Sequence, residues 1–293
     1  MTPIDLSPVL FAAFVVGALL GVSGLVLQSV LRNPLAEPYM LGLVGGSSLF
    51  VAAVVHFGLT AYAVWVLPAA SFGGSCLSLA LVCGVALVAA RQRSEGSSAA
   101  RLRSSGTTVI LAGFVTASFT CSLQMLLLSY AEPATMAKVT TWLFGDVREA
   151  RLGPCLVATV VLAVVLAGLL REAKYLNVLE LGRDEAECAG IDTRRVKIVA
   201  LGLVSLATAT AVALAGPIGF VGLVVPNFVN RFFGGLHVRR LCLSALLGGL
   251  ALVVAAAAGL LLPRGLSAGV VCALVGSPFF LWLLAAAPAS PNR

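Results

Sequence analysis

The sequence predicts an all-α polytopic membrane protein of about nine transmembrane helices. Two compositional observations and one pattern carry that prediction. Of the 293 residues, 60% are hydrophobic and only 11% charged, and the mean hydropathy is +1.05. A soluble domain of this length has no use for so much apolar surface. The apolar residues also fall in long runs, several reaching the roughly 20 residues that cross a bilayer as a helix. We place spans at about 8–31, 41–58, 62–90, 107–130, 151–170, 196–215, 218–233, 241–262 and 268–287, in a single domain covering 1–293. The 30 glycines and 13 prolines suit packed and broken membrane helices, where small residues let backbones approach.

With the N-terminus outside, Lys138, Arg148, Arg151 and Arg264 face outward and every other Lys and Arg faces inward. Basic residues collect on the cytoplasmic side of membrane proteins, so the C-terminus is expected there. The net charge of +7 is explained by this orientation. It is no nucleic-acid footprint, and the expected surroundings are membrane lipid. The seven cysteines are widely spaced and form no CxxC pair. They read as small buried hydrophobes, not as a disulfide frame or metal site. The start, Met1-Thr2-Pro3, lacks the basic region of a cleavable signal peptide.

Three polar interruptions stand out. The first holds Gln28, Asn33, Pro34, Glu37 and Pro38 between two apolar runs. At membrane depth such a break requires protein partners for every freed backbone group. The second, 215–231, contains Gly216, Pro217, Gly219, Gly222 and Pro226. It must be shielded by protein or line a cavity; a kinked packing helix and a cavity wall both fit. The third, 171–197, is the longest polar stretch and concentrates Glu180, Asp184, Glu185, Glu187 and Asp192. Residues 184–189 read as a short helix with acids at its start, which the helix dipole favours. Gly190 is a natural left-handed stop, and Asp192 reads as the cap of a further short helix bearing Arg194 and Arg195. Two short helices would fit a groove on a peripheral protein; a solvated hairpin is the plainer alternative.

The first interruption, Gln28 followed by Asn33-Pro34-Leu35-Ala36-Glu37-Pro38 and Leu41-Gly42, resembles the motif of the FecCD-type permeases. Those are the membrane subunits of ABC importers for iron–siderophore, haem and cobalamin. Gly216 to Leu223 with Pro226 is similar to the family's longest signature. Leu176, Asn177, Leu179, Leu181, Gly182, Ala186 and Gly190 match its ATPase-coupling segment. Leu111 to Gly113, Trp142 to Gly145 and Val275 to Leu283 match further landmarks, so the resemblance runs from about 10 to 286. It implies a non-catalytic subunit without cofactor or metal site in the bacterial cytoplasmic (inner) membrane. ATP hydrolysis would come from a separate subunit, in keeping with the lack of a G-x-x-x-x-G-K-[ST] loop in this sequence. The implied partners are two ATP-binding cassette ATPase subunits, a second permease chain (the same or different) and an extracytoplasmic substrate-binding protein docking near Glu132–Arg151 and Arg264. The resemblance assigns ATPase coupling to Leu181, Gly182, Asp184, Glu185, Ala186 and Gly190. It assigns the translocation pathway to Gln28, Asn33, Pro34, Gly216, Pro217, Gly219, Gly222, Pro226 and Asn227. The implied cargo is a metal chelate, iron–siderophore or a related iron compound, with haem or cobalamin as the alternative.

The departures are equally specific. The family usually has ten spans with both ends inside, and the resemblance begins at its second helix. Either the first helix is lost or the start site is set too far downstream. Asn227 and Val229-Asn230 replace the family's His and Ala-Arg, the span at 241–262 carries no charge, and Gly265 to Gly269 replaces its outer turn. These losses imply altered internal pairing, as in one half of a heterodimer, or a less polar cargo route. His56 reads as a span-end residue, and His237, beside Arg239 and Arg240, as part of an inner basic rim. The rival class is an ion-driven secondary transporter. Such carriers place carboxylates or histidines at mid-membrane, whereas Glu37, Asp146 and Glu149 fall at span ends or loops.

Overall fold

The computed structural model describes residues 6–59, 65–92, 105–262 and 265–285. The start of the chain, Arg264 and the end of the last expected span lie outside the described residues. Every regular element described is helical: α1 (Leu6–Leu31), a single 3-10 turn (Pro38–Leu41), α2 (Leu43–His56), α3 (Val66–Gln92), α4 (Ser105–Ser129), α5 (Pro133–Leu143), α6 (Leu152–Leu181), α7 (Arg183–Cys188), α8 (Thr193–Ala215), α9 (Val221–Phe232), α10 (His237–Leu261) and α11 (Ala268–Ala285). Six of these (α1, α3, α4, α6, α8 and α10) contain stretches long and apolar enough to cross a membrane, while Leu43–His56 and Ala268–Trp282 are shorter apolar helices. The seventh expected span, 218–233, is the 12-residue α9 preceded by non-helical chain.

α1 is the hub, enclosed by α6, α8, α9 and α10, while α2, α3 and α4 pack together and reach the hub mainly through α3 against α8. Close approach explains the hub's small residues. A Cβ on Gly17 would strike the Gly248 carbonyl, one on Gly21 the Ser244 carbonyl, and one on Gly24 the Gly222 carbonyl. Without a hydrophobic force between helices in lipid, such contact is what holds them together.

Four expectations need correction. Helix α6 does not stop near 170 but continues to Leu181, because Leu169, Ala173, Leu176 and Leu179 keep one buried stripe at helical spacing. Asp192 does cap a helix, accepting from the Arg194 and Arg195 backbone N–H groups at 3.1 and 3.0 Å. That helix is the long α8, however, and not a separate short one. The 132–151 connection contains α5, begun by Pro133 at its first position, where a missing N–H costs nothing. Only Cys155 and Cys272 are buried; Cys76, Cys83, Cys121, Cys188 and Cys242 are exposed.

Candidate coupling and translocation site

The two breaks at 32–42 and 216–220 lie against each other. Past Leu31, Asn33 reverses the chain: its N–H donates to the Gln28 carbonyl at 3.1 Å, and its Oδ1 accepts from the Leu35 N–H at 2.9 Å. Such side-chain turns are why Asn precedes Pro in loops. On the other strand of the pair, Ile218 has no helical partner, and Tyr39 serves both its backbone groups. The Tyr39 hydroxyl accepts from the Ile218 N–H at 2.7 Å and donates to its carbonyl at 2.9 Å. Glu37 Oε1 accepts from the Phe220 N–H at 2.8 Å. Phe220 itself has φ +68, a left-handed conformation rarely held by a residue with a Cβ. The carboxylate fixes the backbone at that strained point.

Pro226 explains Gln28. A proline in a helix leaves the carbonyl four residues earlier without its donor, here that of Gly222. Gln28 Nε2 comes within 3.5 Å of the Gly222 carbonyl, 3.3 Å of Leu223 and 3.4 Å of Ala36. Asn227 Nδ2 completes the seam, donating to the Pro34 carbonyl at 2.8 Å and to Leu223 at 2.8 Å. Of the expected pathway residues, Gln28, Gly216, Gly222, Pro226 and Asn227 are buried, Asn33, Pro217 and Gly219 half-buried, and Pro34 exposed. The structure thus brings Gln28, Pro34, Gly219, Gly222 and Asn227 together across the seam, whereas Gly216 and Pro217 pack on Trp142 and Gly145.

The second site is the hairpin between α6 and α8. α7 is closed at its end by Gly190 at φ +74, with Ile191 N–H donating to the Ala186 carbonyl at 3.0 Å and Gly190 N–H to Glu187 at 3.0 Å. This double bond pattern satisfies the last carbonyls of the helix locally. Ala186 is fully buried, whereas Asp184, Glu185 and Gly190 are exposed and Leu181 is 74% exposed.

At the base of that hairpin lies a polar cluster that sequence reasoning missed. Glu180, in the last turn of α6, accepts from both Arg240 terminal nitrogens at 3.0 and 2.6 Å and from Ser29 Oγ at 2.7 Å. His237 is wholly buried; its ring lies 3.0 Å from Ser29 Oγ and 2.8 Å from Asn177 Oδ1. Asn177 Oδ1 also accepts from the His237 backbone N–H at 2.8 Å, capping α10 from a neighbouring helix. Arg32 donates to the Leu179 carbonyl at 3.1 and 2.6 Å. His237 and Arg240 are therefore internal ties and not a basic rim, and Glu180 faces the bundle instead of a docking partner. The helical register of α6 carried the signal: with 171–181 helical, Asn177 and Glu180 fall three apart on one face.

Toward the opposite end, Asp146 pairs with Arg148, which also donates to the Gly265 carbonyl at 3.3 Å. Among the described residues no group of three or more His, Cys, Asp or Glu is placed to hold a metal ion.

The model of the FecCD transport family matches residues 6–286. The hemin transport system permease protein HmuU of Yersinia pestis is 33% identical over 94% of this chain and 80% of its own length. The cobalamin import system permease protein BtuC of Halobacterium salinarum is 36% identical over 92% and 69%. The Fe(3+) dicitrate transport system permease protein FecD of Escherichia coli is 32% identical over 94% and 82%. Among solved structures, one described as a metal-chelate type ABC transporter in an inward-facing conformation superposes with a TM-score of 0.83 at 25% identity, covering 96% of this chain and 87% of the other.

Proposed function

Because the chain belongs to the FecCD transport family, we propose that it is the permease subunit of a binding-protein-dependent ABC importer carrying a metal chelate. Iron–siderophore or a related iron compound is the cargo of first choice. The observation behind this reading is the span of the family match, 6–286, which takes in both the paired breaks and the hairpin. The whole chain, 1–293, acts as one transmembrane domain in the bacterial inner membrane with its C-terminus in the cytoplasm. Two ATPase subunits dock on the cytoplasmic hairpins of a permease dimer, and a binding protein docks on the opposite face. This chain contributes Leu181, Gly182, Asp184, Glu185, Ala186 and Gly190 to its ATPase contact. Gln28, Asn33, Pro34, Gly216, Pro217, Gly219, Gly222, Pro226 and Asn227, in the seam and beside it, form the wall of the pathway. Half-buried Asn33, Pro217 and Gly219 and exposed Pro34 supply its surface.

Hemin and cobalamin are the second reading for cargo, supported by the names of relatives at 33% and 36% identity. A multidentate chelate needs no ion site of its own in such a wall. The test is to tag the chain, extract it from its native membrane in mild detergent and identify what co-purifies. An ATPase subunit in stoichiometric amount supports the importer. A second, different permease beside it makes the dimer mixed. A chain recovered alone, under conditions that keep other membrane complexes intact, would return the ion-driven carrier.

A further inference from the structure

The hairpin and the seam are joined through α1, whose neighbouring residues Ser29 and Gln28 make hydrogen bonds to one and to the other. Glu180 sits one residue before the exposed Leu181, in the last turn of α6, and receives the Ser29 hydroxyl of α1 at 2.7 Å. Gln28, the preceding residue of α1, places its Nε2 within 3.5 Å of the Gly222 and Leu223 carbonyls of the broken segment and of the Ala36 carbonyl of its partner. Consecutive residues of a helix point about 100° apart. Ser29 can therefore face α6 while Gln28 faces α9, and the rigid helix between them converts one displacement into the other. We infer that Glu180, Ser29 and Gln28 form the relay through which movement of the hairpin reaches the broken segments, with Arg240 and His237 as positioning residues for Glu180. This rests on the coupling role proposed for the hairpin.

The cluster is built to transmit movement. Arg240 grips both oxygens of the Glu180 carboxylate, and paired hydrogen bonds of this kind fix orientation as well as distance. Arg32 holds the neighbouring Leu179 carbonyl, so the end of α6 cannot shift without pulling the end of α1. On the far side of α1, Gly24 meets the Gly222 carbonyl with no side chain between them, leaving no compliant layer to absorb the shift.

The test uses the intact complex of tagged permease, ATPase and binding protein in liposomes, with ATP hydrolysis measured in the presence and absence of the binding protein. Glu180→Gln and Ser29→Ala are expected to retain the ATPase subunit at wild-type stoichiometry and to lose the stimulation by the binding protein. The double variant should be no worse than either single one, because both cut the same relay. Full stimulation in both single variants overturns the relay, as does a double variant whose losses simply add. Should Glu180→Gln fail to assemble, Ser29→Ala removes only a hydroxyl and decides alone. A wild-type complex that shows no stimulation counts against the coupling role of the hairpin itself, which separates the two failures.

Discussion

The paired breaks and the hairpin both interrupt helices, yet they satisfy their backbone groups in opposite ways. The hairpin closes on itself: Ala186, Glu187, Gly190 and Ile191 exchange their own hydrogen bonds, and Asp192 caps the next helix from within. The breaks close on each other, through Tyr39 on Ile218, Glu37 on Phe220 and Asn227 on Pro34. A locally closed motif can be pushed as a unit and presents its exposed surface to whatever pushes. A mutually closed pair moves together or gives up the hydrogen bonds that each side makes for the other. The first arrangement suits a docking element, the second a wall that switches between few states.

Substitutions should separate the two regions, beginning with the largest effect. Gly24→Leu and Gly222→Leu drive a side chain into backbone or into Pro38. Each is expected to cost above about 3 kcal/mol, the upper end for overpacking, read as loss of a monodisperse peak in detergent. Gly219 is different, because a Cβ there meets only Glu37 Oε1 at 3.7 Å. Gly219→Leu should fold normally and block uptake; normal uptake would make the segment a plain packing helix.

Glu37→Ala leaves the Phe220 N–H unpaired and should lower stability by about 1–3 kcal/mol, measured as a reduced unfolding midpoint. An unchanged midpoint would show that the pairing of the breaks does not depend on that carboxylate.

Gly190→Val meets no neighbour within 4 Å, so its cost is conformational, about 1–2 kcal/mol for a side chain in left-handed geometry. It should leave membrane insertion intact and abolish ATPase stimulation, while Gly190→Asn, which tolerates that geometry, retains it. Stimulation that survives Gly190→Val would detach the hairpin from coupling. The smallest effect is Asp192→Ala, about 1 kcal/mol for a lost N-cap, seen as a shift of the midpoint with coupling preserved.

Much of this was legible in the sequence, for identifiable reasons. Apolar runs revealed the membrane helices because length and hydropathy act locally. The stop at Gly190 and the cap at Asp192 were legible because caps are short-range chemistry. The end of α6 was misjudged because Arg171, Glu172 and Lys174 look like a loop, although Leu169, Ala173, Leu176 and Leu179 continue the helical stripe beneath them. The Glu180 cluster was hidden for another reason. Its members, Ser29, Asn177, Glu180, His237 and Arg240, come from three helices far apart in the chain, and only tertiary packing brings them together. Gln28 and Pro226 were each visible as oddities; that one repairs the gap left by the other became apparent only in three dimensions.

The most direct measurement is hydrogen–deuterium exchange on the permease–ATPase complex, with and without ATP and Mg²⁺. If the two regions work as described, 182–192 becomes protected when the ATPase binds and stays so, whereas 33–42 and 216–220 change protection together when ATP is added. Change in one of the breaks without the other would contradict their pairing as a single moving wall.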